Sequence, residues 1–364
     1  MSQRASVKLL AEAEQACLEC GSCTARCSQQ RAEGLTIGAI AGKVLAAATD
    51  NAVKHAVLSC SVCGYCCSEC PAGIDAARVM VAAREVLDAM GEGMSISRDD
   101  LFLGDELAVL AQYKARHNIG YYDLQNAHCD AVFYAGCSLA AFAPGLVRKV
   151  HAWLEERVSH VSLLDSCCGA PLALAGLVEE AAAVRTRLRG RLLGSGATQL
   201  IVACPSCLNE LAGGLDGVRV VSLTTLLSRF GEKVRCHGRV TIHDSCPDRA
   251  SLIAGHDVRA ILADCEIVEM EHSGRNTVCC GSGGLVSRAH PSLADARARA
   301  RIQEFRATQS DHLITACGHC SHRLDGVARP GEVLHYLELV FDHRIDWTDV
   351  SLKLDALLRE ASPA

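Results

Sequence analysis

Residues 60–71 read CSVCGYCCSECP and set four cysteines in the spacing C-x2-C-x2-C-x3-C, with Pro71 directly after the last one. Residues 17–27, CLECGSCTARC, repeat that spacing, although Ser28 stands where the other stretch has proline. Gaps of two residues let three sulfurs converge from one tight loop, while the fourth cysteine is carried further along the chain. Two such stretches so close together predict a domain organised around metal.

This spacing is the one by which bacterial ferredoxins hold two [4Fe–4S] clusters, with the fourth cysteine of each run crossing to the other cluster. We therefore predict two cubane clusters and assign four cysteines to each. The first set is Cys17, Cys20, Cys23 and Cys70, and the second is Cys60, Cys63, Cys66 and Cys27. Cys67 is left over and is expected to be a buried packing thiol rather than a ligand.

The alternatives for these runs are a zinc site or disulfide bonds. A tetrahedral zinc site uses paired cysteines separated by a longer loop, which consecutive two-residue gaps do not provide. Disulfides across such gaps would be strained, and the chain has no visible export signal, although it carries 22 cysteines in 364 residues. Clustered cysteines in this setting favour metal or redox chemistry.

The rest of the chain is an internal repeat of five cysteines. Equivalent cysteines of the two units lie 109, 112, 112, 113 and 113 residues apart, and LIVACPSC (200–207) matches LITACGHC (313–320). Such a constant offset indicates a duplication. The first unit holds Cys137, Cys167, Cys168, Cys204 and Cys207, and the second holds Cys246, Cys279, Cys280, Cys317 and Cys320.

Short apolar runs precede these cysteines and alternate with helical patterns. AVFYAGC, VSLLDSCC, LIVAC, VTIHDSC and LITAC predict buried strands, and residues 178–193 and 293–305 predict helices. Strands alternating with helices imply parallel sheets, with the cysteines at the carboxyl ends of strands, where open α/β sheets place ligands. A further helix is predicted over residues 74–90, ended by Gly91-Glu92-Gly93.

The repeated pattern resembles the cysteine-rich CCG domain of heterodisulfide reductases, which related iron–sulfur subunits of glycolate, lactate and glycerol-3-phosphate dehydrogenases share. The resemblance covers nearly the whole chain. It implies an α+β multidomain protein with a helical two-cluster [4Fe–4S] ferredoxin domain at 1–100, a linker at 101–128, and duplicated α/β CCG domains at 129–235 and 236–364. It also implies that the five cysteines of each repeat are catalytic and bind one non-cubane [4Fe–4S] cluster.

Two functions follow from this resemblance. In the first, electrons pass through the cubanes to or from the CCG sites, which reduce a disulfide or oxidise thiols. In the second, the chain is a relay that carries electrons from a flavin-dependent hydroxy-acid dehydrogenase towards quinone. Both are oxidoreductase functions and need a redox partner, either a flavoprotein or a membrane cytochrome or quinone-linked subunit. The third alternative is a structural zinc protein, which the cubane spacing disfavours. For the CCG repeats themselves, the alternative is that one or both hold an ordinary cluster, zinc or nothing and serve as a scaffold for a docked flavoprotein.

Composition restricts the partners. The net charge of −6 argues against a nucleic-acid partner. The most apolar stretch, residues 35–58, is broken by three charged residues, so no transmembrane segment is expected. Charged residues also occupy the start of the chain, and we expect a cytoplasmic protein or one that reaches a membrane through a partner. The charged residues of the apolar stretch are Lys43, Asp50 and Lys54, and those at the start of the chain are Arg4, Lys8, Glu12 and Glu14.

Several weaker signals surround the cysteines. Gly281-Ser282-Gly283-Gly284 lacks the Lys-Ser/Thr of a phosphate loop and is interpreted as backbone room for a cluster. His243, His272 and His319 lie near predicted ligands and are proton donors or, more simply, supporting or surface residues. Arginines in the two repeat helices are interpreted as solvated faces, with docking of an acidic partner as the alternative. Cys129, Cys236 and Cys265 are interpreted as structural.

Overall fold

The computed structural model describes residues 3–94, 96–213, 215–236 and 238–361, with the side chains of 28–30 left undescribed. Six helices form the amino-terminal domain and pack around an apolar core that includes Leu10, Ile40, Val53 and Leu87. Asp75 caps the sixth helix by accepting from the Arg78 N–H. The helices are α1 (Gln3–Ala16), α2 (Ser22–Arg26), α3 (Ser28–Glu33), α4 (Ile37–Leu45), α5 (Asn51–Leu58) and α6 (Ala76–Ala89).

The segment predicted as a linker is folded against the first repeat. It contains α7 (Arg98–Leu101), an antiparallel pair of two-residue strands, β1 (Phe102–Leu103) and β2 (Glu106–Leu107), and α8 (Ala108–Arg116). The backbone N–H of Cys167 donates to the Asp105 carbonyl at 2.8 Å, and buried Lys114 pairs with Glu106 and Asp165. This segment therefore braces the loop that carries Cys167.

The first repeat is a four-stranded parallel sheet in the order β4-β3-β5-β6. Its strands are β3 (Ala131–Tyr134), β4 (Val161–Leu163), β5 (Gln199–Val202) and β6 (Arg219–Ser222). Its helices are α9 (Cys137–Phe142), α10 (Pro144–Glu155), α11 (Ala170–Ala175), α12 (Val178–Ser195), α13 (Pro205–Leu211) and α14 (Leu223–Arg229).

The second repeat has the same parallel order, β8-β7-β9-β10. Its strands are β7 (Arg239–His243), β8 (Glu266–Ile267), β9 (His312–Thr315) and β10 (Val333–His335). Its helices are α15 (Ile253–Ile261), α16 (Val286–Ala289), α17 (Pro291–Ala307), α18 (Gly318–Asp325), α19 (Tyr336–Val340) and α20 (Trp347–Ala361). The α+β class, the helical first domain and the duplicated α/β domains are confirmed.

One apolar core joins the two repeats. Phe133 and Ile201 from the first sheet and Ile242 and Ile314 from the second belong to the same buried cluster. The opposite faces of the sheets pack separately against their own helices. These two outer cores contain the CCG cysteines except Cys137 and Cys167, which pack in a neighbouring cluster. The shared core therefore fixes the two cysteine sites relative to each other.

Candidate metal centres

The two ferredoxin-like runs have the same loop conformation. We call Cys17–Cys27 the outer run and Cys60–Cys70 the inner run. Glu19 and Val62, which precede the second cysteine of each run, have φ of 49° and 51°. A positive φ is a true outlier for β-branched Val62 and is retained only where the surroundings require it. The repeated distortion fits loops shaped to aim three sulfurs at one point.

Cysteines of the two runs lie close together in the structure. A mostly apolar cavity is lined by the three knuckle sulfurs of the outer run, Cys17, Cys20 and Cys23, together with Cys70 and Cys66. Cys27 lies close enough to Cys60 for its charge to raise the pKa of the Cys60 thiol, beyond the larger increase caused by burial. An all-thiol donor set of this kind fits iron–sulfur clusters; the individual ligand assignments remain predictions.

The five cysteines of the first repeat form a buried chain of contacts. Cys137 touches Cys167, Cys168 touches Cys207, and Cys207 touches Cys204. The contact with Cys167 lowers the pKa of Cys137 to about 6, and His319, whose Nε2 lies 3.9 Å from the Cys137 Sγ, adds to that shift. Burial alone would lower the pKa of His319, but the neighbouring thiols raise it overall.

The second repeat brings its five cysteines together in the same order. Cys246 touches Cys279, Cys280 touches Cys320, and Cys320 touches Cys317. The Gly281 and Gly283 N–H groups donate to the Cys279 Sγ at 3.2 and 3.3 Å. Backbone N–H donors to sulfur are one means by which a protein tunes a thiolate-bound cluster.

The cysteine sets follow one another through the molecule. Cys63 of the inner run packs beside the second repeat, where the Cys279 charge contributes to raising the pKa of Cys63 to about 12, after the larger effect of burial. Cys204 of the first repeat touches Cys317 of the second. The order in space is therefore outer run, inner run, second repeat, first repeat.

Gly169 and Gly281 follow the CCG cysteines with φ of 88° and 103°. A Cβ at Gly169 would press on the Ala181 carbonyl in α12, and a Cβ at Gly281 would press on the Ala294 carbonyl in α17. The expectation that a glycine is needed there is supported, but the space it preserves is for the helix rather than for metal.

Three arginines that were not predicted as site residues hold the inner run in place. Arg84 is fully buried and donates to the carbonyls of Val57, Leu58, Cys60, Leu174 and Gly284. Arg249 donates to the Cys63 carbonyl at 3.0 Å and Arg297 to the Ser59 carbonyl at 3.1 Å. The available signal was the position of Arg84 on the apolar stripe of α6, between Met80 and Leu87.

Some of the other singled-out residues depart from their interpretation, and others agree with it. Arg297 and fully buried Arg301 do not belong to a solvated helix face, since their heads face the inner run and the second repeat. Cys67 is half-buried beside Asp75 rather than enclosed. Cys236 and Cys265 form a disulfide at the amino ends of β7 and β8, and Cys129 is buried. His272 pairs with Glu304 at the surface, whereas His243 is buried beside Cys280 and Cys320.

Comparison with known families assigns both parts of the chain. A 4Fe-4S dicluster domain matches residues 16–75. The cysteine-rich domain CCG matches twice, at 131–212 and 240–325.

Characterised relatives belong to oxidoreductase complexes. One subunit of the dihydromethanophenazine:CoB–CoM heterodisulfide reductase of Methanosarcina barkeri is 25% identical over 74% of this chain and 73% of its own length. One subunit of the fumarate reductase (CoM/CoB) of Methanothermobacter marburgensis is 26% identical over 79% of this chain and 62% of its own length. Among solved structures, glutamate racemase RacE1 of Bacillus anthracis aligns with a TM-score of 0.35 and 13% identity over 64% of this chain and 83% of its own, too weakly to carry an argument.

The chain thus joins a 4Fe-4S dicluster domain to two CCG domains and is an iron–sulfur protein of the oxidoreductase type, related to the heterodisulfide reductase of Methanosarcina through one of its subunits. In the part of the chain that the structure describes, no helix is long and apolar enough to cross a membrane.

Proposed function

We propose that this chain is a heterodisulfide-reductase-like subunit in which electrons pass between a partner and the two CCG sites through two cubane [4Fe–4S] clusters. At the CCG sites a disulfide is reduced or two thiols are oxidised. Reduction of one disulfide takes up two electrons and two protons and yields two thiols. Iron–sulfur clusters held by the assigned cysteines would supply the one-electron steps.

The observation that carries this proposal is the uninterrupted succession of cysteine sets. The outer run is nearest to solvent, since Cys20 is exposed, and it is the natural point of contact with a redox partner. The inner run reaches the second repeat through Cys63, and the two repeats meet where Cys204 touches Cys317.

The residues around that meeting point suit disulfide chemistry. The vicinal cysteines of both repeats are buried, which keeps bulk water from the thiols. His319 belongs to the second repeat, yet its imidazole faces Cys137 of the first. A protonated imidazole there is placed to hold a proton between the two sites, where a disulfide would divide into two thiols.

Anaerobic purification followed by iron and sulfide analysis tests the cluster assignment. Four clusters correspond to about sixteen irons per chain, and about eight would contradict metal binding in the CCG repeats. EPR with added thiol should reveal a new paramagnetic signal that is lost in Cys168→Ser or Cys280→Ser. Cys129→Ala is the matched control, because Cys129 is also buried and lies outside the predicted ligand sets.

A second candidate is an electron relay for a flavin-dependent hydroxy-acid dehydrogenase that feeds quinone. The exposure of Cys20 fits this function too, because a flavoprotein could deliver electrons at the outer run. Activity that appears only beside a flavoprotein, with no signal on thiol addition, would select this function over the first.

A further inference from the structure

The last residues of β3 and β7 occupy equivalent positions but differ in chemistry. Tyr134 ends β3 and lies opposite Val202, whereas His243 ends β7 and lies opposite Thr315. Val202 and Thr315 are themselves equivalent, two residues before the matching Cys204 and Cys317. The duplication has therefore placed a phenol behind one CCG site and an imidazole behind the other.

His243 is enclosed but unpartnered. Its exposed fraction is 1%, and neither ring nitrogen has a hydrogen-bond partner among the described residues. One ring nitrogen, the Cys280 Sγ and the Cys320 Sγ all lie within 4.8 Å of one another. A buried polar group left without a partner costs about 1–3 kcal/mol. An imidazole without a hydrogen-bond partner, beside two thiols, indicates that a group bound at this site interacts with the ring nitrogen.

The neighbours of His243 are also more polar than those of Tyr134. Thr241 lies two residues before His243 on β7, hence on the same face, and Arg301 lies near Cys280; the equivalent residues of the first repeat are apolar Val132 and Leu188. Leu188 and Arg301 are equivalent because each lies seven residues after the alanine that a Cβ on the CCG glycine would contact, Ala181 in α12 and Ala294 in α17. Arg301 is fully buried, donates to the Met270 Sδ and pairs with Glu304.

We propose that His243 supplies an imidazole nitrogen ligand to the metal group of the second repeat, which makes it a mixed thiolate–imidazole site beside an all-cysteine first site. This inference rests on the proposed function, because it requires metal in the second repeat. Neutral imidazole adds a ligand without the negative charge that a further thiolate would add. Buried Arg301 holds a positive charge near Cys280, which favours the reduced state of the second site. The second site, which adjoins the inner run, is thus the better electron acceptor of the two.

Pulsed EPR on the intact protein labelled with [15N]histidine tests the ligand directly. The protein is purified anaerobically and brought to a solution potential at which the second site is paramagnetic. We expect a nitrogen coupling that changes isotope with the label and is lost in His243→Tyr, the residue present at the equivalent position of the first repeat. If His243→Tyr does not fold, His243→Gln serves, and the labelled wild type remains informative by itself.

The outcomes separate this inference from the proposed function. Full iron content without a histidine coupling, or a coupling that persists in His243→Tyr, overturns the ligand assignment and leaves the proposed function intact. Absence of iron from the second repeat, seen as no loss of iron in Cys280→Ser, overturns both. A redox titration supplies a second readout: the potential of the second site should fall in His243→Tyr and should not change in Tyr134→Phe.

Discussion

The outer and inner runs share one cysteine spacing and one loop conformation, yet their environments differ. The outer run lies at the surface, with Cys20 exposed and its cavity partly open. The inner run lies between the amino-terminal domain and the second repeat, with its carbonyls held by Arg84, Arg249 and Arg297. The shared spacing thus gives the two loops the same set of cysteines, and packing determines which loop is exposed and which is enclosed.

The strongest test of this contrast is removal of Arg84. Arg84→Met leaves five carbonyls without their donor where the inner run packs against the two repeats. We therefore expect a loss of about 3–5 kcal/mol in unfolding free energy. Anaerobic urea unfolding measures it. Arg78→Met on the same helix is the control, since Arg78 is exposed and should change stability by no more than about 0.5 kcal/mol. Equal effects of the two variants would mean that Arg84 does not lock the inner run.

Gly284→Ala tests the same contact between the inner run and the second repeat, from the side of the second repeat. Gly284 has φ of 62°, and a Cβ there would collide with the Cys60 carbonyl and the Ser61 backbone. We expect a loss of about 2–4 kcal/mol and a changed EPR signal from the inner run. Gly274→Ala is matched, because Gly274 has φ of 54° with nothing within 4 Å of the added Cβ. It should cost only about 1–2 kcal/mol and leave the EPR spectrum unchanged.

The greater exposure of the outer run should also make it lose iron faster than the inner run. With an iron chelator under anaerobic conditions, we expect the outer run to release iron at least about tenfold faster than the inner run, equivalent to about 1.4 kcal/mol in barrier. The rapid phase should disappear in Cys20→Ser and persist in Cys63→Ser. Release in a single phase would show that the two runs are equally accessible.

The smallest expected effect concerns the surface ion pair between Arg26 and Glu69, which links the two runs. Arg26 lowers the pKa of Glu69, so the pair stabilises the fold above the ordinary carboxyl pKa and is lost as the pH falls through the lowered value. Glu69→Gln should therefore destabilise the protein slightly at pH 7, and its difference from wild type should shrink as the pH falls through the lowered pKa of Glu69 or as salt is added. Anaerobic thermal melts over that pH range and with added salt measure it.

Much of the fold was predictable because buried parallel strands read as continuous apolar runs. The five predicted runs became β3, β4, β5, β7 and β9, and the helix predicted over 178–193 is observed as Val178–Ser195. In the two parallel sheets the strands that were missed are the edge strands β6, β8 and β10, and the short antiparallel pair β1 and β2 was missed as well. β8 has only two residues, Glu266 and Ile267, too few to show a period.

The candidate site was predictable as a list of cysteines but not as an arrangement. The near-constant offset between Cys137–Cys207 and Cys246–Cys320 reveals the equivalence of the repeats. It cannot reveal that Cys204 meets Cys317 or that Cys63 reaches Cys279, since those contacts depend on domain packing. The buried arginines escaped for the same reason: Arg84 is satisfied by Leu174 and Gly284, each distant in sequence.

The apolar core shared by the two sheets has an evolutionary consequence. Phe133 and Ile201 cover Ile242 and Ile314, so either repeat alone would expose this face to water. A single-repeat ancestor would have had to pair with a second copy of itself before the gene was duplicated and joined. On this view the fused chain preserves an ancient homodimer, and the substitution that separated Tyr134 from His243 became possible only once the two halves were encoded separately.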